Sequence, residues 1–155
     1  MNHSSKIGFS FGTTSGIITT LGLIVGLTAS EASKAVIIGG VLTIAFADAF
    51  SDALGIHISE ESEETHTKKE IWTATFTTYF TKLIIALSFL IPLVLFSSTV
   101  ALIISIIWGT LLLTLLNYFI TPKQKRWSAV LEHLLIGLIV IVFGFVIGQY
   151  IRSVF

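Results

Sequence analysis

The sequence predicts an all-α integral membrane protein with five transmembrane helices. Of its 155 residues, 54% are hydrophobic and only 12% are charged, whereas soluble domains carry roughly 25% charged residues. Five apolar runs are long enough to cross a bilayer, which takes about 20 residues in a helix. Backbone polar groups in lipid must bond to one another, and the runs lack the alternation of barrel strands, so each run is predicted to be helical. A soluble five-helix bundle is disfavoured because the last three runs have no polar face.

The predicted spans form one domain. They cover residues 9–27, 34–58, 71–96, 99–119 and 130–151, and a short acidic connection over residues 59–70 joins the second span to the third. Pro92 lies in the third span and removes the hydrogen bond to the carbonyl of Ser88, so a kink is expected there. The fourth and fifth spans are mostly Leu, Ile, Val and Phe, which indicates scaffold or lipid-facing surface.

Basic residues predict how the bundle is oriented. An N-terminus in the cytoplasm places six basic residues on the cytoplasmic side and two on the other side. These are Lys6, Lys68, Lys69, Lys123, Lys125 and Arg126 against Lys34 and Arg152. The positive-inside rule therefore predicts a cytoplasmic N-terminus and places the acidic connection in the cytoplasm.

Small and hydroxyl residues are concentrated in the first and third spans. The glycines of the first span, which predict close packing against other helices, are Gly12, Gly16, Gly22 and Gly26. Ser15 and Thr19 lie among them, and their hydroxyls can line a polar path. In the third span Thr77 and Thr81 are four residues apart, and Lys82 follows. All of these polar residues fall on the cytoplasmic side, which predicts a polar cavity that opens there.

Acidic residues are concentrated at the end of the second span. Seven of the nine acidic residues of the chain lie between Asp48 and Glu70. Asp48 and Asp52 are four residues apart and therefore share one helix face. Carboxylates inside a membrane span are rare and mark cation pathways or other functional sites. We expect this stretch to bind a divalent cation, with the ligands Asp48, Asp52, His57, Glu60, Glu61 and Glu64.

The residue types indicate which cations this chain can bind and which classes of function it does not have the residues for. Carboxylates, hydroxyls and an imidazole suit Mn²⁺, Fe²⁺ or Mg²⁺. Two nearby carboxylates repel one another, which favours a proton on one of them, so the pair can hold either protons or a divalent cation. The chain has no cysteine, and it has no H-E-x-x-H or G-x-S-x-G motif, so we expect neither an enzyme nor a resident cofactor. A formal net charge of zero argues against a nucleic-acid partner.

Several stretches resemble the vacuolar iron transporter (VIT1/CCC1) family. Residues 15–27, SGIITTLGLIVGL, resemble its first-helix signature, and residues 49–55, AFSDALG, are similar to the pattern of its second helix. The Pro92 step and the glycines at Gly144 and Gly148 are also similar. The resemblance implies a homodimer in the lipid bilayer that exports Fe²⁺ or Mn²⁺ from the cytoplasm in exchange for protons. It implies the plasma membrane in a prokaryote and the vacuolar membrane in a eukaryote.

The chain also departs from the family pattern. The family usually has an aspartate at the position of Ser15 and a methionine at the position of Asp52. After Gly55 it often has Glu-Tyr, where this chain has Ile56 and His57. Plant members carry a long glutamate-rich metal-binding domain between the second and third spans, where this chain has only residues 59–70. We interpret the chain as a divergent short member whose intramembrane charge lies on the second span.

Two alternatives stay open at this point. Asp48 and Asp52 could hydrogen-bond to hydroxyls of the first and third spans, or pair with Lys82, as structural locks. The whole protein could instead be a non-transporting membrane cation sensor or an assembly partner that uses the acidic end of the second span. A transporter needs both aspartates, whereas a sensor or assembly partner needs only residues 60–64.

Overall fold

The structure is a computed structural model that describes residues 2–63 and 65–155. Within these residues the secondary structure is helical. The helices are α1 (His3–Ala29), α2 (Lys34–Thr43), α3 (Ala49–Ser62), α4 (Lys68–Ser88), α5 (Leu90–Leu95), α6 (Ser98–Ile120) and α7 (Arg126–Val154). A π-helical turn, Ile44–Asp48, joins α2 to α3, and a 3₁₀ turn, Lys123–Lys125, precedes α7.

Five helical segments of the described chain are long and apolar enough to cross a membrane. They are His3–Ala29, Lys34–Ser62, Lys68–Leu95, Ser98–Ile120 and Lys123–Val154. This confirms the predicted helical fold with five candidate spans.

Capping residues explain why α1 and α4 begin before the predicted spans. The side chain of Asn2 accepts a hydrogen bond from the Ser5 backbone N–H at 2.9 Å, so α1 begins at His3 rather than at residue 9. Thr67 and Glu70 form a capping box at the start of α4. Such caps satisfy the free N–H groups of the first turn and stabilise a helix start outside the apolar run. Helix therefore covers part of the predicted acidic connection.

The third segment is interrupted where the sequence predicts a kink. α4 ends at Ser88, the chain passes through Phe89, and α5 begins at Leu90. Pro92 lacks the N–H that would bond to the carbonyl of Ser88. At the end of α5, Lys34 donates hydrogen bonds from Nζ to the carbonyls of Val94 and Phe96, at 2.9 and 3.1 Å.

α1 is the central helix of the bundle and packs against α4, α6 and α7. Gly12 faces α4, where an added Cβ would lie 2.6 Å from the carbonyl oxygen of Thr78. Gly22 and Gly26 face α7, where a Cβ at Gly144 would lie 3.0 Å from the oxygen of Gly22. The close packing that the glycines of the first span predict is therefore confirmed, and it brings the backbone of α4 against α1.

We expect Gly12→Ala to destabilise the protein, because its methyl group must push the backbone of α4 away from α1. Overpacking of this kind costs typically about 1–3 kcal/mol. The matched control is Gly39→Ala, since a Cβ at Gly39 meets no atom within 4 Å and alanine favours helix. Unfolding in detergent measures both variants; a Gly12→Ala protein as stable as the Gly39→Ala protein would contradict the close approach.

Candidate cation site

Four polar side chains from three membrane segments meet at one point. Lys82 of α4 places its Nζ 2.5 Å from Oδ2 of Asp48 and 2.5 Å from Oδ2 of Asp52. The same Nζ donates a hydrogen bond to Oγ of Ser15 at 3.0 Å. The Ser15 hydroxyl in turn donates to Oδ2 of Asp52 at 2.5 Å. We call Ser15, Asp48, Asp52 and Lys82 the aspartate–lysine cluster.

Burial is uneven within the cluster. The Lys82 side chain has 0% of its surface exposed, whereas Asp48 and Asp52 have 38% and 20% exposed. A buried ammonium is stable only when it is paired and hydrogen-bonded, and the two carboxylates and the Ser15 hydroxyl meet this need. Two carboxylates and one ammonium leave the cluster with a formal charge of −1. The Lys82 side chain is therefore buried, whereas the two carboxylates are partly exposed.

Glycine packing positions Lys82. An added Cβ at Gly12 would lie 3.2 Å from the backbone nitrogen of Lys82, and one at Gly16 would lie 3.3 Å from its carbonyl oxygen. Both glycines are within one turn of Ser15 on α1. The absence of side chains at these two positions lets the backbone of Lys82 lie directly against α1, within reach of Ser15.

The π-helical turn Ile44–Asp48 positions the aspartates. The Ala49 N–H bonds to the carbonyl of Ile44, five residues earlier, so this turn contains one residue more than an α-helical turn. The extra residue changes the register between α2 and α3 immediately before the two aspartates. Single π-helical turns occur frequently at functional sites. Hydrophobic periodicity does not predict this turn.

The remaining predicted ligands lie apart from the cluster. His57 is hydrogen-bonded through Nδ1 to Oγ1 of Thr75 at 3.0 Å, and its ring packs edge-on against Trp72. Glu60 is buried, with 5% of its surface exposed. Its Oε2 lies 3.0 Å from Nδ1 of His66, an ion-pair distance without hydrogen-bond geometry.

Glu61 is exposed, and Glu64 lies outside the described residues. Among the residues that the structure describes, no three His, Asp or Glu side chains form a group able to hold a metal ion. The five predicted ligands that the structure describes are thus divided between the aspartate–lysine cluster and the second half of α3. The partners His66 and Thr75 were not among the predicted ligands, because spacing along one helix does not identify contacts with another segment.

The predicted path residues are also divided. Ser15 and Lys82 belong to the aspartate–lysine cluster. The Thr19 hydroxyl donates to the carbonyl of Ser15 at 2.8 Å, within α1. Thr77 and Thr81 are half-buried on α4, and Thr77 lies against Gly8 of α1. The alternative pairing of the aspartates with Lys82 and a hydroxyl of the first span is therefore the arrangement observed.

We expect the double substitution Asp48→Asn, Asp52→Asn to lower stability, because it leaves the Lys82 ammonium buried without a counter-charge. Breaking one side of a buried ion pair costs about 3–5 kcal/mol. Adding Lys82→Met to the double variant is expected to restore most of the loss. The free energy of unfolding of each variant is measured in detergent without divalent metal. If the loss caused by Lys82→Met simply adds to the loss caused by the two aspartate substitutions, Lys82 and the aspartates do not stabilise one another.

A comparison with known protein families gives a match to the first part of this chain. The model of the VIT family matches residues 9–72, a stretch that includes Ser15, Asp48 and Asp52. No curated protein matches the chain significantly. The two longest stretches of the resemblance, residues 15–27 and 49–55, lie within the matched residues. Over residues 9–72 the chain is therefore similar to the VIT family, that of the vacuolar iron transporters.

Proposed function

We propose that this protein exports Fe²⁺ or Mn²⁺ from the cytoplasm in exchange for protons. The similarity of residues 9–72 to the VIT family suggests metal-ion transport in general. The observation that carries the proposal is the aspartate–lysine cluster, in which two partly exposed carboxylates lie within one candidate membrane span, Lys34–Ser62. Ionisable groups at such depth are costly and mark ion pathways.

The geometry of the carboxylates supports cation binding. Oδ2 of Asp48 and Oδ2 of Asp52 each lie 2.5 Å from the same Nζ, so the two oxygens already converge on one positively charged atom. The Ser15 hydroxyl adds a third oxygen at this point. Oxygen donors of this kind suit Fe²⁺, Mn²⁺ and Mg²⁺. Asp48 and Asp52 are the proposed transport site.

Protons are the proposed counter-ions because the same carboxylates can hold them. Acidic side chains within membrane segments carry protons in pumps and transporters. Glu60, Glu61 and Glu64 are proposed to attract cations to the cytoplasmic entrance through their negative potential. The direction of transport follows from the orientation that the basic residues predict and from the family resemblance.

A homodimer is the proposed assembly. Asp48 is 38% exposed at the side of a single five-helix unit, and exposure of a carboxylate to lipid is strongly unfavourable. A second copy related by a two-fold axis would cover this side and enclose a path between the subunits. Two-fold dimers are also the commonest symmetric oligomers.

We expect proteoliposomes with the purified protein to take up Fe²⁺ or Mn²⁺ when a pH gradient is imposed. The Asp48→Asn, Asp52→Asn variant is expected to lose this uptake, since amides cannot balance a divalent charge. Co²⁺ and Mg²⁺ tested in parallel define the selectivity. Uptake is followed with a metal-sensitive dye inside the vesicles.

The matched control for uptake is Glu132→Gln, which removes an exposed carboxylate on α7 and should leave the rate unchanged. Both variants are compared at equal amounts of folded, reconstituted protein. If the folded wild-type protein transports none of the four ions, the transporter proposal is wrong. A sensor or assembly role for the acidic end of α3 would then take its place.

The dimer has a separate test. We expect light scattering of the detergent-solubilised protein, corrected for detergent, to give twice the mass of one chain. Because the chain has no cysteine, single-cysteine variants report on the interface. Phe46→Cys, beside the aspartates and 49% exposed, should cross-link more readily than Phe145→Cys on α7, which is 52% exposed. The mass of a single chain would rule out the dimer.

A further inference from the structure

Lys82 is the feature that metal transport alone does not explain. It is one of the largest fully buried side chains in the described part of the chain, and it lies inside the candidate span Lys68–Leu95. One carboxylate is enough to balance the charge of this ammonium. The ammonium nevertheless lies at 2.5 Å from an oxygen of both Asp48 and Asp52.

We propose that Lys82 is an internal competitor that occupies the transport site when no metal is bound and is displaced by the divalent cation. This inference rests on the proposed function, because it takes Asp48 and Asp52 as the metal ligands. It assigns Lys82 a role in setting metal affinity, beyond lining a path.

Space is the first reason for competition. The two Oδ2 atoms and Oγ of Ser15 all point to Nζ, at 2.5, 2.5 and 3.0 Å. A cation held between the same two carboxylate oxygens would have to occupy the volume that Nζ fills. The ammonium and the metal ion therefore cannot both bind these oxygens in this geometry.

Charge is the second reason. The two carboxylates carry a formal charge of −2, which one divalent cation neutralises fully. If the ammonium stayed beside the metal ion, the cluster would carry +1 and two cations would repel one another in a medium of low dielectric constant. Displacement towards the open side of Asp48, where that side chain is 38% exposed, removes this repulsion.

Tethering makes the competition effective. A lysine fixed on α4 competes as an intramolecular group, whose effective concentration is high and independent of dilution. Metal binds only to the fraction of molecules in which the site is free, so its apparent affinity falls by that fraction. A lysine that occupies nine-tenths of the sites weakens metal binding about tenfold. The same ammonium prevents the empty site from holding two unpaired carboxylates.

The first test measures Mn²⁺ affinity of detergent-solubilised protein by the paramagnetic resonance signal of free Mn²⁺. Lys82→Gln is expected to bind Mn²⁺ at least about tenfold more tightly than wild type. Lys69→Gln is the control, because it removes an exposed lysine at the start of α4 and should leave the affinity unchanged. Equal or weaker binding by folded Lys82→Gln protein would overturn the inference.

The second test uses the wild-type protein and does not depend on the folding of a variant. A water-soluble amine-acylating reagent is applied with and without saturating Mn²⁺, and modification of each lysine is measured by mass spectrometry. Lys82 should be protected without metal and become reactive when Mn²⁺ is bound, while Lys69 reacts equally in both. A Lys82 that stays protected with Mn²⁺ bound contradicts displacement.

The Asp48→Asn, Asp52→Asn variant separates the two proposals. If it loses Mn²⁺ binding while Lys82→Gln binds like wild type, the competition is wrong and the transport site stands. If it binds Mn²⁺ as tightly as wild type, the transport site itself is wrong, and the inference about Lys82 fails with it.

Discussion

The ion pairs of Lys82 with Asp48 and Asp52 constrain the whole site. An ammonium that is fully buried within a membrane segment requires negative partners at bonding distance, since its desolvation is otherwise unfavourable by several kcal/mol. Both aspartates supply that charge at 2.5 Å, and Ser15 supplies a further oxygen. Because these residues come from α1, from the π-helical turn with α3, and from α4, the cluster holds three segments in one arrangement.

The close packing of α4 and α7 against α1 allows the three segments to adopt this arrangement. Gly12 and Gly16 allow the backbone of α4 to lie against α1 beside Ser15, and Gly22 and Gly26 allow the same for α7 in the other half of the helix. The apolar core, which includes Ile17, Leu21 and Phe89, contains residues of the same helix α1 between these glycines. On the proposed account, replacing the ammonium by a metal ion alters the contacts between α3, α4 and α1, which is a change of the kind that alternating access requires.

The sequence predicted the membrane architecture better than the site. Hydropathy identified five spans because lipid requires long apolar helices. The glycines of α1 indicated close packing because glycine leaves no side chain between two helix backbones. Asp48 and Asp52 were predicted to share a face, and their pairing with Lys82 was an alternative left open, because spacing along one helix does not determine how α4 lies against α3. The π-helical turn and the pairing of Glu60 with His66 likewise depend on tertiary contacts. His57 and Glu60 were therefore predicted in the same ligand set as Asp48, whereas they lie among other partners.

The central claim is that Asp48 and Asp52 bind either the Lys82 ammonium or a divalent metal ion. The most direct measurement is the anomalous difference map of crystals grown with Mn²⁺. The account predicts a manganese peak within coordination distance of both carboxylates, with the Lys82 ammonium moved away from them. A map with Lys82 still bonded to both aspartates, and with manganese bound only elsewhere, would contradict it.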